Sequence, residues 1–332
     1  MSLTVPQTSA LPPFVPPPRF GETRFASYQP QHPSQQAALE QVRAFVAELN
    51  QPAAPGFRWP WQKQAVPTGR GLYLDGGFGV GKTHLLAAAF HACDLPEKAY
   101  LSFQELVYAV GVKGMAAAKA ELGSVRFFCI DEFELDDPGN TLIVGSFLAH
   151  VFAQGGAVLT TSNTPPEAQG QGRFNADDFR REIQSVAERF TVASLEGPDY
   201  RRRDQLAALV DEGALLELHK HETNREPKTL LAWPELLTLL EQVHPIRYRE
   251  LIGQFGTLYV TGAATLPTQN DALRFVHFVD KLYDLNKSLR VSGSAALTDL
   301  FSPTYRDGAY AKKHYRCLSR LSELLEESAQ TV

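Results

Sequence analysis

The eight residues Gly76-Gly77-Phe78-Gly79-Val80-Gly81-Lys82-Thr83 constrain this chain more than any other segment. They fit G-x-x-x-x-G-K-[ST], a phosphate-cradling loop that works between a buried strand and the start of a helix. Both flanks comply. Gly71-Leu72-Tyr73-Leu74-Asp75 is a short apolar run of strand type, and Thr83-His84-Leu85-Leu86-Ala87-Ala88-Ala89-Phe90 is a helix former. The glycines let backbone N–H groups approach phosphate oxygens, and the helix N-terminus adds partial positive charge. Lys82 is expected to reach the β- and γ-phosphates, and Thr83 to place its hydroxyl on Mg²⁺, with His84 completing the binding stretch. The pattern implies a bound nucleoside triphosphate and a parallel α/β fold around it.

Strand candidates recur at the spacing such a fold requires. They are 71–75, 99–103, 125–131, 157–162 and 190–195, separated by helical stretches such as 140–153. Strands alternating with helices imply a parallel sheet covered on both faces. Ahead of them, 8 of the 22 prolines fall in the first 33 residues. This predicts an extended arm over 1–35, disordered over 1–12 and held further on where Phe14, Phe20, Phe25 and Tyr28 find pockets. Ser34 is the expected cap of a helix carrying Leu39, Val42, Phe45, Val46 and Leu49 on one face. Residues 51–69, with Trp59-Pro60-Trp61, read as a linker. The core is expected over 36–200 and a separate C-terminal region over 201–332. Within the latter, 201–250 shows no clear period. A strand at 257–261, a helix at 271–285, a strand at 289–292 and a terminal helix at 309–327 follow. No acids end these later strands, which makes the unit structural, not a second catalytic site.

Asp131-Glu132 closes the apolar run Phe127–Ile130 about 50 residues after the loop. One carboxylate at a strand's carboxyl end can hold a Mg²⁺ shell and the next can polarise an attacking water. Asn163, after the strand at 157–162, is the expected residue to orient that water and touch the γ-phosphate. Charge that builds on the transferring phosphoryl group calls for an arginine, and one supplied by a neighbouring subunit is worth on the order of 10³–10⁵ in rate. Arg189, just before the fifth strand, is placed for this, with Arg173, Arg180 and Arg181 as competitors. A GTPase would show Asn-Lys-x-Asp, and Asn286-Lys287-Ser288-Leu289 lacks the Asp. A small-molecule kinase would rarely carry the Asp-Glu doublet. Adenine and water are the expected base and acceptor.

Bulk properties exclude little else. The formal net charge is −5, and the basic clusters Arg201-Arg202-Arg203 and Lys312-Lys313 make no aromatic-studded groove, so nucleic acid is not the expected partner. Three scattered cysteines, Cys93, Cys129 and Cys317, read as reduced, buried thiols. No signal peptide or membrane-length apolar run is visible, and a cytoplasmic, soluble protein is expected.

The motifs together resemble the ZapE-type AAA+ ATPases, which have mitochondrial relatives. The likeness is carried by Gly71-Leu72-Tyr73-Leu74-x-Gly76-Gly77, Phe128-Cys129-x-Asp131-Glu132-Phe133, Thr161-Ser162-Asn163-x-Pro165-Pro166, Glu188-Arg189-Phe190 and Asp199-Tyr200-Arg201. It continues in His244-Pro245-x-x-Tyr248, Phe278-Val279-Asp280 and Tyr315-Arg316-x-x-Ser319-Arg320-Leu321. The chain departs from the family pattern at Asp75, Glu134, Thr164 and Asn175-Ala176. The resemblance implies a P-loop, AAA+-like parallel sheet sandwiched by helices, with an additional C-terminal α/β region and a lid-like terminal helix. It also implies ATP and Mg²⁺ as cofactors, an ATP-bound homo-oligomer, and FtsZ of the division ring as partner. Arg316 or Arg320 is the expected lid arginine. Two other functions stay open: a nucleic-acid-associated ATPase of the helicase-loader type, and a slowly hydrolysing ATP-gated scaffold.

Overall fold

A computed structural model describes residues 3–6, 13–51, 69–135, 138–166, 169, 184, 187–197, 206–222, 227–308 and 310–330. The linker tryptophans, Arg173, Asn175, Ala176, Arg180, Arg181, Asp199, Tyr200 and Arg201–Arg203 lie outside the described residues. The chain divides into two compact units. One comprises Leu11–Pro16 and Phe20–Tyr200, the other Met1–Ala10, Pro17–Arg19 and Arg201–Val332.

The first unit is built on five parallel strands: β1 (Arg70–Gly76), β2 (Lys98–Ser102), β3 (Phe127–Asp131), β4 (Ala157–Ser162) and β5 (Phe190–Leu195). Their order across the sheet is β2-β3-β4-β1-β5. Such strands are buried on both faces, which is why β3 reads Phe-Phe-Cys-Ile with every side chain inaccessible. Alternation along β1 sends Leu72 and Leu74 to one face and Tyr73 to the other. Leu72 and Leu74 pack with α1 (Pro33–Leu49) and α2 (Lys82–Ala92). Tyr73 packs with α3 (Phe103–Lys113), α4 (Met115–Leu122) and α5 (Pro138–Ala153).

Local chemistry sets the element ends. The second strand stops one residue earlier than its apolar run suggests, because Ser102 and Glu105 form a reciprocal cap. Glu105 N–H donates to Ser102 Oγ at 3.2 Å, and Ser102 N–H to Glu105 Oε2 at 2.9 Å. The cap of α1 is His32, not Ser34. Pro33 occupies the first helical turn, and extended His32 accepts the Ser34 N–H on its ring. The Ser34 hydroxyl instead accepts from Glu196 N–H at 2.8 Å.

The arm is ordered further than an extended tail requires. Phe14 C=O accepts from Tyr100 N–H of edge strand β2, and a 3₁₀ turn over Phe25–Ser27 leads into buried Tyr28. Residues 3–6, expected to be disordered, are held in the second unit. Thr4 exchanges two backbone bonds with the Gln254 side chain, and Arg247 donates to Pro6 C=O.

The second unit has its own parallel sheet, ordered β6 (Lys228–Ala232), β7 (Thr257–Thr261), β8 (Ser288–Val291). Three of its helices, α7 (Trp233–Gln242), α8 (Gln269–Asp284) and α9 (Ala311–Gln330), contribute to one apolar core. Strand β6 and helices α6 (Glu212–His221) and α7 occupy the stretch with no clear period. The chain passes from Ala232 of β6 straight to Trp233 of α7 with no turn residue between them. Arg316 and Arg320 both close on buried Asp280 at 2.6 Å. Arg19 lies 3.7 Å over the Tyr283 ring and pairs with Glu323 and Glu327.

Candidate active site

Register brings the three motifs together. β4 lies between β1 and β3, pairing Asp75 with Ser162 on one side and Ile130 with Thr160 on the other. The carboxyl ends of β1, β3 and β4 therefore stand side by side, which is where open parallel sheets bind ligands. Gly76–Thr83 leaves the first, Asp131-Glu132 ends the second, and Asn163 follows the third.

The loop turns into α2 at Gly81, whose φ of +89° is left-handed. A Cβ there would also stand 2.5 Å from the Tyr28 ring. Only glycine satisfies both conditions. The Tyr28 hydroxyl donates to Val80 C=O at 3.1 Å, so the arm braces the loop from outside the sheet. His84 faces the same arm, with its Nε2 3.1 Å from Ser27 Oγ and 3.3 Å from Arg24 C=O. Burial lowers the His84 pKa, partly opposed by that carbonyl. Phe78 and Gly79 are half-buried, and Gly77 is exposed with open space at its Cβ position.

Lys82 is buried, and its ammonium donates to Gly76 C=O at 2.7 Å, Gly77 C=O at 2.5 Å and Asn163 Oδ1 at 2.9 Å. Thr83 Oγ1 donates to Asp131 Oδ1 at 3.3 Å. A hydroxyl and a carboxylate so close are the hard oxygen donors that Mg²⁺ takes alongside phosphate oxygens, so the residues fit that ion. The glycine backbone and the lysine fit a triphosphate.

Glu132 has a left-handed backbone, φ +54°, uncommon for a residue with a side chain. Its N–H is held by Thr161 Oγ1 at 3.0 Å and Asp131 Oδ1 at 3.2 Å. Thr161 in turn donates to Asp131 Oδ1 at 2.5 Å, and the Tyr100 hydroxyl to Oδ2 at 3.3 Å. Tyr28, Tyr100 and Thr161 are supporting residues that the sequence reading did not assign. The Thr160-Thr161-Ser162 hydroxyl run ending an apolar strand was a usable signal for Thr161. Tyr28 was expected only to find a pocket, and Tyr100 carried no signal.

Arg189 is exposed and stands elsewhere. Phe190 pairs with Gly71 and Leu195 with Gly76, so Arg189 is at the amino edge of the sheet. It lies six residues of rise, about 20 Å, from the loop of its own chain. Arg316 and Arg320, expected as lid arginines, both pair with Asp280 inside the second unit.

The family model for AFG1-like ATPases matches residues 19–230 and 216–331. The chain is 26% identical over 301 residues to the cell division protein ZapE of Escherichia coli (strain K12), covering 78% of both chains. It is 22% identical over 338 residues to an uncharacterized protein of Schizosaccharomyces pombe, covering 78% of this chain and 73% of that one. Among solved structures, the replication initiator DnaA bound to AMPPCP and single-stranded DNA is similar at a TM-score of 0.41 and 13% identity, covering 93% of each chain. The family match runs from residue 19 to residue 331, and the protein belongs to the AFG1-like ATPase family, as an ATP hydrolase of the AAA+ class.

Proposed function

We propose that ATP is hydrolysed at the carboxyl ends of β1, β3 and β4, and that the cycle regulates the FtsZ division polymer. The observation that carries the hydrolytic part is the convergence of Lys82 with Asn163 and of Thr83 with Asp131, four motif side chains from three segments. Residues Gly76–Thr83 cradle the phosphates, Lys82 exchanging backbone carbonyls for phosphate oxygens. Thr83 and Asp131 would hold Mg²⁺, which when bound would offset negative charge on the phosphates. Glu132 accepts a proton from the water that attacks the γ-phosphorus, the bond to the bridging oxygen breaks, and ADP leaves with that oxygen. Asn163 orients the water. Arg189, too far from its own loop, acts on the nucleotide of a neighbouring subunit in an ATP-bound homo-oligomer.

The partner assignment rests on the family resemblance and on the ZapE relative, named a cell division protein. It implies a cytoplasmic site of action. Among the described residues no helix is long and apolar enough to cross a membrane.

The test is steady-state ATPase of wild type and Arg189→Ala across protein concentration, with and without purified FtsZ. The proposal expects a rate per subunit that rises with concentration in wild type, stays low and flat in the variant, and changes when FtsZ is added. Concentration-independent, equal rates would overturn the trans role of Arg189. An unchanged rate with FtsZ, beside salt-sensitive stimulation by single-stranded DNA, would move the partner to nucleic acid.

A further inference from the structure

Behind the catalytic face lies a buried carboxamide that no nucleotide motif includes. Gln169, 5% exposed, reaches three segments at once. Its Nε2 lies 2.8 Å from the Tyr73 hydroxyl oxygen on β1 and 3.0 Å from Ser162 Oγ. It also lies 3.2 Å from both Thr164 C=O and Phe133 C=O. Its Oε1 accepts from Leu135 N–H at 2.9 Å. These partners flank the proposed catalytic groups on both sides. Ser162 and Thr164 bracket Asn163, while Phe133 and Leu135 follow Glu132.

We propose that Gln169 is a positioning residue for ATP hydrolysis, locking the turn that carries Asn163 to the turn that carries Glu132; this rests on the roles given to those two residues above. The two turns already meet at Thr161, through Phe133 N–H to its C=O at 2.7 Å and Glu132 N–H to its Oγ1 at 3.0 Å. Gln169 adds bonds beyond that point and ties them to β1 beside the phosphate loop. The chemistry suits an amide and little else. Nε2 brings two donors to an acceptor cluster, and Oε1 supplies the acceptor that the Leu135 N–H needs. A carboxylate would face the Phe133 and Thr164 carbonyls as like charge. An aliphatic side chain would leave the Leu135 N–H buried and unpaired.

Tyr73 completes the link. Its hydroxyl donates to Thr164 C=O at 2.7 Å, leaving its oxygen to accept from Gln169. Burial pushes this phenol well above its usual range, so it remains a donor at neutral pH. Contact of the γ-phosphate with Asn163 would displace the Ser162–Thr164 turn, and Gln169 would pass that displacement to Phe133–Leu135 and so to Glu132. Interconnected hydrogen bonds of this kind couple by more than their separate deletions suggest.

The experiment is a double-mutant cycle on full-length protein, pairing Gln169→Glu with Asn163→Ala and reading kcat, KM and ATP affinity. Gln169→Glu is expected to lower kcat about tenfold, the equivalent of one well-placed hydrogen bond, with ATP affinity within about twofold of wild type. In the Asn163→Ala background it is expected to cost almost nothing further, because the group it positions is gone. Tyr73→Phe, which keeps the buried ring, should give a smaller loss in kcat with the same non-additivity, and it serves if Gln169→Glu does not fold. A full, multiplicative loss in the double variant, or equal losses in kcat and ATP affinity, would overturn the link while leaving the catalytic assignment standing. An unchanged kcat in Asn163→Ala alone would overturn that assignment, and this proposal with it.

Discussion

Lys82 and Asn163 are 81 positions apart in the chain, yet Nζ of the first donates to Oδ1 of the second at 2.9 Å. The register of β1 on β4 makes this contact, since Asp75 and Ser162 are paired one residue short of each segment's turn. In the proposed reading the two side chains address one phosphate position. They should nonetheless fail differently. Lys82→Ala is expected to abolish ATP binding, because the loop loses its one charged donor. Asn163→Ala is expected to retain binding and lose about 10²-fold or more in kcat, the scale of a removed transition-state donor. Fluorescent-nucleotide titration beside steady-state ATPase separates them. Normal affinity in Lys82→Ala would remove the loop from the site.

The loop's shape is enforced sterically by the arm. A Cβ on Gly81 would meet the Tyr28 ring at 2.5 Å in a left-handed backbone, whereas one on Gly77 meets nothing within 4 Å. Gly81→Ala should cost about 1–2 kcal/mol from the backbone alone. It should also lower the melting temperature and weaken ATP affinity. Gly77→Ala should melt like wild type. Scanning calorimetry on the pair checks this, and indistinguishable melting would mean that Tyr28 gives way freely.

The three thiols should be inert in the native protein. Cys93, Cys129 and Cys317 are all buried and unpaired in any disulfide. Burial raises all three thiols, Cys129 and Cys317 well above the usual thiol range. The reactive thiolate is thereby suppressed. A chromogenic disulfide reagent at pH 8 should find no thiol before denaturant is added and three afterwards. Rapid labelling of the native chain would contradict the packing around them.

Asp280 gives the second unit a defined acid sensitivity. Burial alone would raise its carboxyl, but the Arg316 and Arg320 guanidiniums, with His277, outweigh burial and hold it well below the usual carboxylate range. A depressed folded-state pKa stabilises fully above the unfolded value, about 3.9, and its contribution fades as pH falls below that. Asp280→Asn should cost about 3–5 kcal/mol at pH 7, since two guanidiniums remain buried. The gap to wild type should narrow as pH drops from about 4 toward 2. Urea melts of both proteins across that range test the sign. A gap that is constant with pH would rule the ion pair out as its source.

Much of the candidate site could be read from residue order because its signals are local. Apolar runs locate β1, β3 and β4, and the glycine loop and acid pair sit directly at their ends. What could not be read is whatever depends on distant partners. Gln169 is one polar residue in an unpatterned segment until Tyr73, Phe133 and Thr164 close around it. Tyr28 belongs to a proline-rich arm and acquires meaning only against Gly81. The β6–α7 junction hid in the sequence because strand and helix are both leucine-rich and abut without punctuation. The pairing of Arg316 and Arg320 was hidden for the converse reason: helix-borne arginines look alike until Asp280, 36 and 40 residues earlier, is found between them.

In the proposed reaction Glu132, held in its left-handed turn by Thr161 and Asp131, takes the proton from the attacking water. The decisive measurement is ATP affinity and single-turnover hydrolysis of Glu132→Gln beside wild type. The side chain keeps its size and loses its basicity, so affinity should stay within about twofold while the hydrolytic rate falls about 10²–10⁴-fold, the range of general-base catalysis. Hydrolysis at the wild-type rate with ATP bound normally would rule out Glu132 as the base and place it outside this turn.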